Sequence, residues 1–357
     1  MFLKNLKLTN YRNFSQVNLD LSPSTLLIGK NAQGKSNILD AIYFLATTKS
    51  PKAERDSELI KEGQEVLRVE GIVQSSEFRV QSSNETNLEI VMQNNSAGFS
   101  KRTKVNGISR RVMDYLGNLV VIQFVPEDIN LVAGPPSHRR WHLDITLAQV
   151  DREYKRAISE YTEVVTRRNR VLKNIRMGLS KIEELSYWTE RLLINGLVIS
   201  DKRVKFFDFL EKAEPILGQN FQYQYLPNLI NQVRLDEYFN QEIASAISLI
   251  GPHRDDFVFS LNNKNLGYFG SRGEQRTAVL DLKLLELEYI NQTFHSKPIL
   301  LLDDIFSELD DEHRDHVISV IENQQTIVTA VENENIPKEF LQMSQVIQVK
   351  NGVLVDS

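Results

Sequence analysis

Residues 29–36 read Gly29-Lys30-Asn31-Ala32-Gln33-Gly34-Lys35-Ser36, two glycines spaced by four residues and followed by a lysine and a hydroxyl. Those types at that spacing suit the binding of a polyphosphate. A loop can wrap a phosphate with backbone N–H groups only if side chains stay out of the way, which accounts for the glycines. Lys35 supplies a cation for the outer phosphates, and Ser36 offers a hydroxyl oxygen to a divalent metal such as Mg²⁺. The helix that opens at Ser36 points its positive end at the anion. The octet fits the Walker A pattern at every fixed position. It forms the candidate nucleotide site.

A phosphate loop working with a metal needs a carboxylate. Pro298-Ile299-Leu300-Leu301-Leu302-Asp303-Asp304 is an apolar run ending in two acids, a Walker B pattern. Asp303 is expected to hold the Mg²⁺ shell. Asp304 is the candidate catalytic residue, placed to position or deprotonate the attacking water. Gln123 and Glu127 are both candidates for the further polar contact usually called the Q-loop.

A third cluster lies at Ser271-Arg272-Gly273-Glu274-Gln275, opening a helix whose apolar positions Val279, Leu280, Leu282, Leu284, Leu285 and Leu287 are too dense for a solvated face. Ser271 with Glu274 has capping-box spacing. The cluster also matches the signature loop with which one ATPase protomer grips the γ-phosphate held by another. Ser307 and Asp310, in Ser307-Glu308-Leu309-Asp310, stand where a D-loop would. Walker A, signature, Walker B and D-loop in that order describe an ABC-type ATPase.

The elements around these residues fit an α/β fold. Short strands are expected at Phe2–Leu8, Gln16–Leu21, Thr25–Ile28, Val66–Val73, Leu88–Gln93 and Leu119–Phe124, with a helix from Ser36 to about Ala46. Apolar residues then recur at helical spacing from Tyr154 to Ile175, and a second long helix runs from about Ser180 to Lys212, antiparallel to the first. Strands return at Phe257–Leu261, Pro298–Asp303, Thr326–Val331 and Val346–Val349. The expected plan is a discontinuous ABC-type head, residues 1–125 and 250–357, with a mixed sheet core, interrupted by a helical arm at 126–249.

The chain has 357 residues, net charge −5 and no cysteine, which excludes disulfides and thiolate metal sites. No apolar run reaches membrane-spanning length and no signal-peptide pattern opens the chain, so a cytoplasmic protein without a membrane partner is expected. Charge is uneven. Between Ser137 and Arg176 ten basic residues face five acids, and Ser100–Arg111 carries five basic residues and no acid. Such density suits nucleic-acid phosphates; Arg102, Lys104, Arg139, Arg140, Arg167 and Arg170 are the candidate DNA contacts. Arg139 and Arg140 also admit a structural or nucleotide-proximal reading. Asn106-Gly107 reads as a hairpin turn.

Asn10–Phe14 (NYRNF), the Walker A stretch, Val125–Asp144 (VPEDINLVAGPPSHRRWHLD), Gly251–Asp256 (GPHRDD), Phe269–Thr277 (FGSRGEQRT) and Leu300–Asp310 (LLLDDIFSELD) together resemble the RecF family of bacterial recombination-repair ATPases, over nearly the whole chain. The resemblance implies a weak ATPase that dimerises with ATP on single-stranded or gapped DNA. It also implies help in recombinase loading, SOS induction and replication-gap maintenance, with RecR and RecO as partners, and places Arg12, Asn13 and Asn37 near the phosphates. Three departures stand out. Glu274 replaces the usual Gln, His142 an aromatic, and no His follows Thr326–Val331. The last, with Asp304 in place of the usual Glu, implies slow hydrolysis. A transporter ATPase subunit and a Smc/Rad50-type chromosome organiser share the motifs. The 235 residues from Ser36 to Ser271 exceed the first's usual arm and fall short of the second's coiled coil.

Overall fold

The computed structural model describes the whole chain except residues 75–84, 97, 295, 308, 310–313, 315–316, 319–320, 322–323, 332–335 and 357. The chain divides into two compact units, Met1–Glu127 with Ile290–Ser357, and Asp128–Tyr289.

The first unit holds two six-stranded sheets. Strands β1 (Phe2–Tyr11), β2 (Phe14–Asp20), β4 (Val66–Gln74), β5 (Glu85–Asn95), β6 (Gly98–Val105) and β7 (Ile108–Arg110) form an antiparallel sheet in the order β2-β1-β4-β5-β6-β7. Burial alternates along β4, with Leu67, Val69, Gly71 and Val73 inward, as a sheet with one core face requires. The turn between β6 and β7 is Asn106-Gly107, both at positive φ (51° and 76°), the conformation that a tight hairpin demands and that Asn and Gly tolerate.

The second sheet carries the phosphate loop. Its strands are β3 (Ser24–Ile28), β8 (Val121–Phe124), β12 (Ile299–Asp303), β13 (Thr326–Ala330), β14 (Gln345–Lys350) and β15 (Val353–Asp356), ordered β15-β14-β3-β13-β12-β8. All neighbours are parallel except the β14–β15 hairpin. Strands β12 and β13 are buried throughout, which is why they read as continuous apolar runs rather than alternating ones. Helix α1 (Lys35–Thr47) follows β3 directly and buries Ile38, Leu39, Ala41, Ile42, Phe44 and Leu45.

The second unit is mainly helical: α2 (Pro136–Val150), α3 (Arg152–Arg176), α4 (Leu185–Lys212), α5 (Gln232–Ser245) and α6, whose full extent is Arg272–Phe294. The long helices α3 and α4 are antiparallel, joined by ladder-like pairs Asp151–Lys202, Glu160–Arg191 and Arg168–Thr189. Asp151 caps α3 by accepting from the Tyr154 N–H, a contact worth about 1 kcal/mol. A three-stranded sheet, β9 (Phe221–Leu226), β10 (Asp256–Leu261) and β11 (Lys264–Asn265), belongs to this unit. Residues 250–289, read from sequence with the head, cluster here because Phe257, Phe259, Leu282 and Leu285 join Tyr154, Phe206, Phe207 and Phe221 in one core.

Candidate functional site

The loop from Gly29 to Gly34 joins β3 to α1, and its shape depends on both glycines. A Cβ at Gly29 would lie 2.3 Å from the Val349 carbonyl oxygen, and Gly34 has φ 113° with Asn13 Nδ2 only 2.6 Å from where a Cβ would sit. Any side chain at either place would break the cradle. Ala32 also takes a left-handed conformation, φ 63°. Asn13 braces the loop from below. Its Nδ2 donates to the Gln33 carbonyl at 3.2 Å, and its Oδ1 accepts from Asn37 Nδ2 at 2.8 Å. Gln33 is held further by the N–H groups of Asn351 and Gly352. Lys30 and Asn31 are exposed at the tip.

Lys35 is buried, and its ammonium donates to the carbonyls of Gly29 (2.7 Å) and Lys30 (3.1 Å), so it lies folded across the loop. Ser36 Oγ donates to Asp303 Oδ1 at 2.7 Å. This contact joins the end of β12 to the start of α1, 267 residues apart. The same Asp303 oxygen accepts from Thr329 Oγ1 (2.8 Å), and Oδ2 accepts from Lys52 Nζ (2.9 Å). Asp304 follows in a left-handed turn, φ 51°, a conformation that costs a non-glycine residue of order 1 kcal/mol and is tied down here by the Asp304 N–H to Thr329 Oγ1. Burial raises the Asp304 carboxyl above its ordinary range; the Lys35 charge opposes this and the Asp303 charge adds to it. Ser307 Oγ donates back to the Asp304 carbonyl at 2.7 Å, while Asp310 lies outside the described residues.

These residues suit a magnesium nucleotide. Among the described residues no cluster of three acidic or histidine side chains could hold a metal alone. A hydroxyl and one carboxylate at hydrogen-bond distance, Ser36 and Asp303, leave the remaining ligand positions to phosphate and water, which is how Mg²⁺ is usually held beside a nucleotide.

Arg12, which the resemblance places near the phosphates, reaches the helix that follows the loop. Its Nε donates to Asp40 Oδ2 (3.1 Å) and its Nη2 to the Lys52 carbonyl (2.9 Å). Gln123 is buried on β8, in register with Leu301 of β12, and Glu127 is exposed just beyond.

In the second unit, Ser271 caps α6 in the reciprocal manner its spacing predicts. Ser271 Oγ accepts from the Glu274 N–H at 3.2 Å, and the Glu274 carboxylate accepts from the Ser271 N–H at 2.7 Å. That hydrogen bond holds the Glu274 carboxyl below its ordinary range. Glu274 in place of glutamine therefore completes a cap. Gln275 turns inward and donates to the Leu266 carbonyl at 2.8 Å. Arg272 and Gly273 are exposed. Around Gly273 the chain leaves room: among the described residues the only non-neighbouring atom near an added Cβ is Ser271 Oγ, at 4.0 Å.

Residues 2–355 match the family described as the RecF/RecN/SMC N-terminal domain. A protein of Latilactobacillus sakei subsp. sakei (strain 23K) named "DNA replication and repair protein RecF" is 35% identical over 381 aligned residues, covering 100% of this chain and 99% of that one. The chain belongs to the RecF family. A solved structure of the recombination mediator protein RecF with ATP superposes with a TM-score of 0.89 at 28% identity, covering 100% of this chain and 97% of that one. A Smc head domain with an extended coiled coil from Pyrococcus furiosus superposes at 0.52 with 18% identity, covering 99% of this chain and 95% of that one, a likeness of fold alone. The fold is the α/β one of an ABC-type ATPase head.

Within this RecF-family chain the basic candidates divide sharply. Arg139 is buried, with Nε and Nη2 on the two Asp256 oxygens and Nη1 on the carbonyls of Leu131 and Gly134. It has no face left for a phosphate, which corrects its place among the DNA contacts. Arg140 is partly buried and donates to the Asp255 carbonyl. The structural reading of this pair is the one that the geometry supports. Arg168, counted in the basic run, is buried against Glu242 at 2.6 Å. Arg102, Arg167 and Arg170 are exposed; Arg167 lies 3.5 Å from Glu163 one helical turn away, and Lys104 pairs with Glu89 at 3.0 Å. The Gly251–Asp256 motif proves to be a polar hub of the second unit. Asp255 accepts from Arg203, Tyr225 and the Asn228 N–H, and His253 meets Tyr161. His142 is buried too, 2.6 Å from Glu286 of α6.

Sequence reasoning missed Lys52 and Asp40. Neither lies in a motif, and the only signal for them is proximity in the chain to α1.

Proposed function

We propose that the protein is an ATP-dependent DNA-repair protein that dimerises with ATP on DNA and hydrolyses it slowly. The observation that carries this reading is the 2.7 Å contact between Ser36 and Asp303, which brings the phosphate loop and the acidic strand end into one site. Full-length similarity to proteins named for DNA replication and repair, and to a RecF–ATP structure of the RecFOR pathway, supports the setting.

In this reading the loop amides and Lys35 take the β- and γ-phosphates. Lys35 would exchange two carbonyl partners for phosphate oxygens, a stronger charge-assisted pairing. Ser36 and Asp303 would hold Mg²⁺, which when bound neutralises charge developing on the phosphates. Asp304 positions the attacking water and accepts its proton. Ser271, the Gly273 N–H and the positive end of α6 grip the γ-phosphate of a second copy. Ser307 and Asp310 belong to the D-loop, which would cross the same interface. The exposed arginines meet DNA phosphates. RecR and RecO are the expected protein partners, and recombinase loading at gaps, with SOS induction downstream, is the expected outcome. No helix among the described residues is long and apolar enough to cross a membrane.

Sedimentation with ATP, ADP and gapped DNA, singly and together, tests the proposal. Dimers should form with ATP and be favoured by DNA. Lys35→Ala should weaken nucleotide binding by about ten- to a hundredfold, the loss of roughly 1.5–3 kcal/mol of charge-assisted bonding. Asp304→Asn should bind ATP normally and hold the dimer longer. Turnover raised by lipid vesicles and indifferent to DNA would point to a transporter subunit instead.

A further inference from the structure

Asp303 is almost fully enclosed, and both its oxygens are engaged. Oδ1 accepts from Ser36 Oγ and Thr329 Oγ1, and Oδ2 accepts from Lys52 Nζ at 2.9 Å. A carboxylate enclosed in this way needs a compensating charge. Lys35 does not supply it directly, since its ammonium is spent on the carbonyls of Gly29 and Lys30. Among the described residues, Lys52 is the cation within ion-pair distance of Asp303.

Lys52 is also held with unusual care for a lysine in a loop. Its N–H donates to Ser50 Oγ (3.1 Å) and its carbonyl accepts from Arg12 Nη2 (2.9 Å). Both anchors converge on Asp40, a fully buried carboxylate of α1. Ser50 Oγ donates to Asp40 Oδ1 (2.6 Å), and Arg12 Nε and Tyr11 Oη donate to Asp40 Oδ2 (3.1 and 2.7 Å). The backbone of Lys52 is thus fixed to the helix that the phosphate loop opens, while its side chain, 24% exposed, keeps an exit to solvent. The ammonium can leave Asp303 by side-chain rotation, with no movement of the backbone.

We propose that Lys52 is a displaceable internal counter-ion of Asp303, positioned by Asp40 and Arg12, and that a divalent cation must displace it to occupy the site. This rests on the reading of Asp303 as the metal carboxylate. Two carboxylates, Asp303 and Asp304, and two ammoniums, Lys35 and Lys52, cancel in the nucleotide-free protein. A bare divalent ion would enter a site with no charge left to neutralise. A metal arriving on a triphosphate takes the ammonium's place at Asp303, and the negative charge of the phosphates offsets the added positive charge. The consequence is that metal loads with nucleotide and not before it.

The test is Mn²⁺ binding to the nucleotide-free full chain, followed by electron paramagnetic resonance. The wild type should bind weakly. Lys52→Gln should bind about tenfold tighter or more, because the competing charge-assisted bond is gone. Lys52→Arg keeps the cation and should stay weak. Asp40→Asn leaves Lys52 in place but loosens its anchors, and should fall between. Lys49→Gln removes a neighbouring charge that pairs with Asp56 instead, and should match the wild type. Equal affinity of Lys52→Gln and wild type overturns the proposal, as does an equal gain from Lys49→Gln or Lys52→Arg. Asp303→Asn added to Lys52→Gln separates the two readings. If the double variant keeps the tight Mn²⁺ site, Asp303 is not the metal carboxylate; if it loses the site, that assignment stands whatever becomes of Lys52.

Discussion

Arg139 grips both carboxylate oxygens of Asp256, at 2.6 and 3.0 Å, across 117 residues of chain. The pair ties the start of α2 to the start of β10. Arg140, its neighbour, donates to the Asp255 carbonyl, so two adjacent arginines clasp two adjacent aspartates. Removing Arg139 leaves Asp256 without its cation, with only the Phe257 N–H still donating to Oδ1, and takes the guanidinium from two carbonyls. Arg139→Ala should destabilise the arm by roughly 2–4 kcal/mol, less than a fully enclosed pair because Asp256 is partly exposed. Arg139→Lys should not restore it, since an ammonium cannot span both oxygens. Urea melts read the loss. DNA affinity of the folded fraction should be unchanged; a selective loss of DNA binding with normal stability would return Arg139 to the DNA face.

Gly273 supplies the converse case. Gly29 and Gly34 are required by atoms of their own chain, whereas Gly273 faces open space. Gly273→Val should therefore leave monomer stability nearly untouched and leave ATP affinity of the monomer normal. ATP should no longer bring two copies together. Analytical ultracentrifugation distinguishes the outcomes, and normal ATP-dependent dimers of this variant would end the assignment across the interface.

For DNA, Arg167 and Arg170 share an exposed helical face, and Arg168 points into the arm core. The double variant Arg167→Ala, Arg170→Ala should flatten the slope of log affinity against log salt by nearly two units on duplex DNA, at about 0.9 per phosphate contact. Unrelated sequences should be affected alike. An unchanged slope would move the contact to Arg102 and the β6–β7 hairpin.

His253 gives the arm a pH dependence. Burial lowers its pKa, with the Arg254 and Arg140 charges adding to the effect and the Ser248 carbonyl and Asp255 opposing it. Its two nitrogens meet Tyr161 Oη (2.8 Å) and the Ser248 carbonyl (3.0 Å), an arrangement that a neutral ring satisfies. The unfolded chain then binds more protons than the folded one below the ordinary histidine value of about 6.5. Stability from this group is complete above that value and is lost as pH falls toward the lower folded one. His253→Gln should lose less melting temperature than the wild type between pH 7 and pH 5.5, as read by thermal melts. Parallel curves would show that His253 binds its proton equally in the folded and unfolded states, and would remove it as the source of the pH dependence.

Much of the nucleotide site is legible in the sequence because its chemistry is local. The loop, its lysine and its hydroxyl are eight consecutive residues, and β12 announces itself as an apolar run ending in acids. The capping of Ser271 by Glu274 is equally local. The arginines are the opposite case. Arg139, Arg167, Arg168 and Arg170 look alike in a charge run, and what separates a buried arginine from an exposed one is a carboxylate 117 or 74 residues away. Lys52 escapes for the same reason, its partner lying 251 residues downstream. Strand β9 was open to reading: Phe221, Tyr223 and Tyr225 alternate with glutamines and a Leu. It is short and follows a long helix, so the alternation stands out only once β10 is seen beside it.

Strand β3, which launches the phosphate loop, is complete by Ile28, yet its two neighbours in the sheet are β13, beginning at Thr326, and β14, beginning at Gln345. On a ribosome adding about 5–20 residues per second, the loop waits tens of seconds for the strands that flank it. Asp303 and Thr329 arrive equally late. Through that interval the nascent chain carries the loop's sequence without the strands on either side of it and without Asp303 and Thr329. Assembly of the phosphate loop's surroundings is thereby a late event, and a product that stops short of Thr326 lacks both strands that flank it.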